Sequence, residues 1–214
     1  MSRLFETICI ADGIPQNLYW HEQRMKRALK EIWDVGVEIK LAPEIRVPAE
    51  MLEGIIKCNI EYGPDILTIK FDYYEKRKIS TLQLVTCNYA DYRLKYLDRT
   101  LLNTLLQQRG ECDEIIIVKE GFITDTSMSN LVFFDGSHWF TPSTPLLPGT
   151  CRERLLSSSA IIERPVRVSD LNCYSGVKLI NAMRDPALEE LIPITSIMME
   201  MKNPNRDKPK SLFL

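Results

Sequence analysis

A chain of 214 residues with 45% hydrophobic side chains can build one large domain or two small ones around an ordinary packed core. Its 27 basic and 29 acidic residues leave a formal charge of -2, which excludes a polycationic nucleic-acid binder and offers no field for steering a partner over distance. No apolar run approaches the length of a membrane span, and the first residues alternate like a strand instead of reading as a secretory leader, so a soluble, cytoplasmic chain is expected.

Leu4 to Ile10 reads as a strand, Ala11-Asp12-Gly13 as a turn, and Gln16 to Trp20 as the returning strand of a hairpin. From about Tyr19 to Val35 the residues Met25, Ala28, Leu29, Ile32 and Trp33 recur at helical spacing, with Gly36 as the stop. His21 and Arg24 then share one face near the start of that helix. Pro48 suits the first turn of a second helix running to about Asn59, and Gly63-Pro64 breaks before a strand over Ile66 to Tyr73. The polar run Tyr74 to Lys78 reads as an interdomain linker, with a hairpin tip as the other reading. Thr81 to Cys87 is a strand, and a helix carrying Leu97, Leu101, Leu102 and Leu105 follows Lys95 and stops at Gly110. Short β elements come next at Glu114 to Val118, Phe122 to Asp125, Asn130 to Phe134 and His138 to Thr141, a pattern that predicts an antiparallel or barrel-like sheet. Thr150-Cys151-Arg152-Glu153 fits a capping box that opens a helix. Ile161 to Val166 and Gly176 to Asn181 read as strands with a short helix between them, capped by Ser169, and Lys202 to Lys210 as a frayed tail.

The six cysteines have no CxxC spacing and only two histidines to assist them, so reduced core thiols are expected in place of a zinc site or a disulfide framework. Four other features can carry chemistry, each with an ordinary reading beside it. Lys95, among apolar neighbours, can lose its proton near neutral pH and act as a nucleophilic amine, although most lysines are simply exposed. Gly149-Thr150 at a helix start can cradle a phosphate or merely cap the helix. Arg24 can fork onto the same anion or lie in solvent. Asp125, ahead of the polar run Thr126 to Asn130, can hold a protonated ring nitrogen or only its own turn.

The order of these features changes their weight. Leu4-Phe5-Glu6-Thr7, His21 to Met25, Leu94 to Arg99, Gly121 to Leu131, Thr141-Pro142 and Leu147 to Arg152 together resemble the fold-type-IV family of pyridoxal-phosphate enzymes, which includes class IV aminotransferases and 4-amino-4-deoxychorismate lyases. The resemblance implies an α+β fold with a small N-terminal sandwich-like domain over residues 1–76 and a C-terminal pseudo-barrel domain over 77–214. It implies pyridoxal 5'-phosphate as cofactor, a small amino substrate and a homodimer, a second subunit completing one wall of the site. Lys95 would form the Schiff base and move protons, Arg24 would bind the phosphate, Asp125 would pair with the pyridine nitrogen, and Leu147 would pack on the ring. Gly149, Thr150 and Cys151 would supply phosphate contacts, with Ser129 and Asn130 as further cofactor-binding residues.

Two departures stand out. The family acid is usually glutamate, one methylene longer than Asp125. Cys9 stands where several members carry an arginine near the substrate, so a substrate carboxylate needs another partner, with Arg93, Arg99 and Arg184 as candidates. Thr7 in Leu4-Phe5-Glu6-Thr7 favours the lyases, as a substrate-facing hydroxyl, and predicts conversion of 4-amino-4-deoxychorismate to 4-aminobenzoate and pyruvate, a step toward folate. The alternatives are an aminotransferase of branched-chain or D-amino acids and a reduced member that binds the cofactor without turnover.

Overall fold

In a computed structural model residues 3–199 are described; the predicted frayed tail lies outside them. Strand β1 (Leu4–Ala11) turns through Asp12 and Gly13, both at positive φ, into the two-residue β2 (Ile14–Pro15). That geometry suits a two-residue hairpin loop, and Asp-Gly is the pair that tolerates it. The returning strand expected over Gln16 to Trp20 does not form. Pro15 has no N–H to extend the ladder, Asn17 takes a left-handed conformation, and the chain enters helix α1 (Leu18–Trp33). Its buried residues His21, Arg24, Met25, Ala28 and Leu29 form one stripe against the first sheet. The helix stops at Asp34 in the left-handed region, before Gly36 is reached.

The predicted helix from Pro48 to Asn59 is replaced by a single 3-10 turn (Ala49–Met51) and by strand β3 (Ile55–Tyr62). Alternation decides this: Ile56, Cys58, Ile60 and Tyr62 are buried, Lys57, Asn59 and Glu61 face the other way, and the strand pairs with β1 over eight residues. With β4 (Ile66–Tyr73) the sheet runs β2-β1-β3-β4, all antiparallel. Helix α1 covers the face carrying Leu4, Ile8, Ile10, Ile56 and Ile60, and the opposite face carries Phe5, Thr7 and Cys9.

Beyond residues 74–81, which lie outside the strands, β5 (Leu82–Thr86) leads through a long connection to α2 (Thr100–Leu106) and back to β6 (Glu114–Lys119), which lies parallel to β5. Helix α2 starts later than its leucine pattern suggested. Leu97 is outside it and 37% exposed, and Lys95 lies in the connection, five residues upstream of the first helical residue. With β7 (Phe122–Ile123) and the late strand β13 (Ile197–Met198) the sheet order is β13-β5-β6-β7. The third sheet contains β8 (Asn130–Phe134), β9 (Trp139–Pro142), β10 (Ile162–Arg164), β11 (Gly176–Ile180) and β12 (Ile192–Pro193), in the order β10-β9-β8-β11-β12. The antiparallel part of the reading of this half is therefore corrected: β5 pairs in parallel with β6 and β13, and β9 with β10, because the expected helices, α2 and the one opening at Thr150, make crossovers between β5 and β6 and between β9 and β10. Side chains from both sheets share one core around Leu84, Ile116, Leu131, Phe133, Val177 and Leu179.

Helix α3 (Thr150–Ser157) begins where expected, but its N-cap is Gly149 and no side chain caps it. Glu153 does not reach back to close a capping box; it pairs with Arg27 of α1 at 2.7 Å. The short helix near Ser169 is a 3-10 segment (Val168–Cys173) capped through Arg167 and Asp170, so Ser169 lies inside it. All six cysteines are free, but Cys9 is only half-buried and Cys173 is exposed, so the core-thiol reading holds for four of them. Among the described residues no helix is long and apolar enough to cross a membrane.

Candidate active site

The connection between β5 and α2 is tied to the first strand. Phe5 donates its backbone N–H to the Lys95 carbonyl at 3.0 Å, Leu4 bridges Tyr96, and Leu97 donates to Arg3 at 2.9 Å. Lys95 is held in this way in the connection after β5, against the first strand of the antiparallel sheet. Its side chain lies over the Phe5 ring, with Nζ 4.3 Å from the centroid, and borders a cavity of about 450 Å³, within the usual range for small-molecule sites. Burial pulls the amine down to a pKa of about 7, the positive charge of Arg24 adds to the effect, and Glu6 opposes it. A neutral amine near physiological pH is a competent nucleophile and base.

Behind the lysine sits a buried ionic cluster that sequence reasoning did not assign. Glu6 has no exposed surface and accepts from Arg24 Nε at 2.8 Å, from Arg24 Nη2 at 2.5 Å and from His21 Nδ1 at 2.7 Å. Burial alone would raise the Glu6 pKa, but Arg24 and His21 outweigh it and bring it down to about 2. Burial lowers the pKa of His21, so the imidazole is neutral at pH 7 and donates its Nδ1–H to a carboxylate that can only accept. The signal was present in the strand. Leu4, Glu6, Ile8 and Ile10 share a face, and a carboxylate on a core face demands a cationic partner from the helix packed on it.

Asp125 follows β7, is 5% exposed and faces the same cavity. One of its oxygens accepts from Asn130 Nδ2 at 2.7 Å and the other from the Leu147 N–H at 2.9 Å. Each carboxylate oxygen keeps further acceptor capacity. Burial raises the Asp125 pKa to about 6, and these two donors limit the rise. Asn130 also donates to the Leu147 carbonyl at 2.8 Å and accepts from the Gly149 N–H at 3.1 Å, joining the acid to the start of α3. Only glycine fits there, because a Cβ on residue 149 would lie 2.0 Å from Asn130 Oδ1. The first-turn N–H groups of α3 have no acceptor within the helix, and Gly149 and Thr150 line the cavity together with Arg24.

Thr7, Arg24, Lys95, Asp125, Ser129, Asn130, Leu147, Gly149 and Thr150 therefore border one cavity. Cys151 does not: its side chain packs with Val132, Leu155, Ile161 and Ile180, leaving only its backbone at the helix start. Of the three arginines considered for a substrate carboxylate, Arg93 is exposed and paired with Glu31, and Arg184 is buried against Glu189 and the Arg77 carbonyl. Arg99 does line the cavity, but its Nη2 already donates to the Ser127 carbonyl at 2.7 Å. Lys57, Asn59, Tyr92, Asn181 and Ala182 complete the wall without having been singled out. Residues from both sheet systems contribute, which strand-by-strand reading cannot bring together.

A desolvated amine, a buried carboxylate with spare acceptor positions and a helix start beside an arginine form a donor set that fits an aldehyde, a protonated ring nitrogen and a phosphate on one small molecule. Residues 3–197 match the family model described as amino-transferase class IV. The chain belongs to the class IV aminotransferase family. An uncharacterized protein of Haemophilus influenzae is 43% identical over 185 residues, covering 86% of this chain and 98% of that protein. The crystal structure of a provisionally named 4-amino-4-deoxychorismate lyase from Haemophilus somnus 129PT is similar, with a TM-score of 0.78 and 39% identity over 86% of this chain and 97% of the other. The pyridoxal-phosphate-bound form of a hypothetical aminotransferase from Mycobacterium tuberculosis shares the fold at a TM-score of 0.69 and 17% identity, over 89% and 80% of the two chains. The fold is the α+β fold type IV, and the family is one of pyridoxal-phosphate-dependent enzymes acting on small amino substrates.

Three outcomes follow from this geometry. Glu6→Ala leaves a buried guanidinium without its counter-charge and should destabilise the protein by about 3–5 kcal/mol in denaturant unfolding. Because the Glu6 pKa is lower folded than unfolded, its contribution is complete above about 4.5 and is lost as pH falls toward 2, so Glu6→Gln should flatten the acid limb of the stability profile in that window. Gly149→Ala should push Asn130 off Asp125 and cost about 1–3 kcal/mol by the same measurement.

Proposed function

We propose that the protein is a 4-amino-4-deoxychorismate lyase, releasing 4-aminobenzoate and pyruvate. The observation that carries the reading is the Lys95 amine, with a pKa near 7, in one cavity with Asp125, the α3 start and the Thr7 hydroxyl. The provisional name of the Haemophilus somnus relative, at 39% identity, supports the choice of reaction.

Arg24 and the first turn of α3 would hold the phosphate of pyridoxal phosphate, Asp125 its ring nitrogen, Lys95 its aldehyde carbon, and Leu147 one ring face. Ser129, whose hydroxyl accepts from Asn181 at 2.9 Å, would brace the same wall. When bound, the cofactor supplies an electron sink for the pair left after a proton is removed beside the substrate nitrogen. Lys95, about half neutral at pH 7, takes the proton from the ring carbon that bears the nitrogen. The bond from the neighbouring ring carbon to the enolpyruvyl oxygen then breaks with its electron pair on oxygen, and the departing enolate takes up one proton at its methylene carbon to become pyruvate as the ring becomes aromatic. Thr7 donates to Asn59 Oδ1 at 3.0 Å, which fixes its hydroxyl on the sheet wall of the cavity. A cytoplasmic homodimer belongs to the same reading.

Cofactor-loaded protein should release pyruvate from 4-amino-4-deoxychorismate with no keto acid added, followed by coupled lactate dehydrogenase, and Lys95→Ala should lower the rate by at least about 10³-fold. Pyruvate release that depends on an added keto acid, or amino-acid consumption in its place, would move the assignment to an aminotransferase. The cofactor-free protein should capture pyridoxal phosphate faster as pH rises, by roughly tenfold between pH 6 and 8 with a midpoint near 7, since only the neutral amine attacks the aldehyde. Stopped-flow absorbance reads that profile directly.

A further inference from the structure

Lys57 borders the cavity but has no role in the chemistry above. In the register of β1 on β3, Phe5 faces Glu61, Thr7 faces Asn59 and Cys9 faces Lys57, all on the sheet face that α1 leaves open. Same-face pairs are about 7 Å apart along a strand. Moving away from Lys95, the sheet wall therefore presents an aromatic ring, then a hydroxyl-amide pair, then an ammonium opposite a small thiol. That thiol stays protonated, because burial raises its pKa and the nearby Asp185 adds to the rise, so it sets no negative charge against an anion.

The other cations around the cavity are committed: Arg24 to Glu6, Arg99 to the Ser127 carbonyl, and Lys95 to the reaction itself. Among the described residues Lys57 pairs with Asp72 alone, at 3.5 Å, and the Asp72 side chain is 57% exposed, so this pair costs little to break. The four-carbon lysine stem lets the ammonium turn from Asp72 over the Thr7–Asn59 pair.

We propose that Lys57, with Asn59 beside it, is the subsite for a substrate carboxylate remote from the reacting nitrogen. This rests on the lyase reading and deepens it by assigning the side chain that reads the carboxylate lying across the six-membered ring from the nitrogen. The α-carboxylate of an ordinary amino acid is one carbon from the amine-bearing atom and stays near Lys95, short of the Lys57 step. The single cation displaced along the wall therefore selects for length as well as charge.

The test compares 4-aminobenzoate with the neutral 4-aminobenzamide on cofactor-loaded protein by titration calorimetry, which needs no turnover. Wild-type protein should prefer the acid by about tenfold or more, Lys57→Met should remove that preference by weakening the acid alone, and Lys57→Arg should restore most of it. Equal binding of acid and amide to wild type, or an equal loss of both in Lys57→Met, overturns the proposal. If wild type releases no pyruvate from 4-amino-4-deoxychorismate while the Lys57-dependent preference persists, the lyase reading fails and the carboxylate subsite stands.

Discussion

The buried carboxylate of Glu6 is the constraint on which the site depends. It is fully desolvated, which is tolerable only because Arg24 and His21 supply donors from the helix packed above it. In satisfying Glu6, the arginine is fixed at the edge of the cavity with its charge partly compensated. Burial brings the proton affinity of Lys95 down to near neutrality, and the pair acts on top of it, Arg24 lowering it further and Glu6 opposing. The packing of α1 on the first sheet and the reactivity of a lysine some seventy positions later are parts of one electrostatic arrangement.

A second fixed point lies at Asn130. Its amide bridges the acid, the Leu147 backbone and the Gly149 N–H, so the end of β7, the stretch before α3 and the start of α3 hold one mutual geometry. The same network fixes the carboxylate of Asp125. Both Asp125 oxygens are oriented by short bonds to rigid donors, and the side chain is carried on backbone that Asn130 keeps in place.

Much of this could be read from residues alone, and the failures have physical causes. The alternation in β1 and the apolar runs in β6, β8 and β11 located those strands, and Lys95, Asp125 and Thr150 emerged from their order along the chain. Pro48 suggested a helix, but the period of two in Ile56, Cys58, Ile60 and Tyr62 carried more burial and made the segment a strand. Thr150 looked like a cap, yet glycine is the only residue that Asn130 leaves room for at the preceding position, so the capping role moved by one. Glu6 and Lys57 were passed over for opposite reasons. One is a charge on a core face whose partner lies fifteen or more residues away, and the other looks like any strand lysine until the β1–β3 register sets it on the cavity wall.

The loop bearing Lys95 is hydrogen-bonded to the first strand of the other sheet through Phe5, Leu4 and Arg3. Lys95 thus belongs by sequence to one half of the molecule and by main-chain bonding to the other. Fraying of the amino-terminal strand would release the lysine before it disturbed the sheet that contains β5 and β6. A molecule bound across the cavity would therefore act as a clasp between the two halves: occupancy would be coupled by mass action to their cooperative unfolding, and partly opened states would shed their ligand.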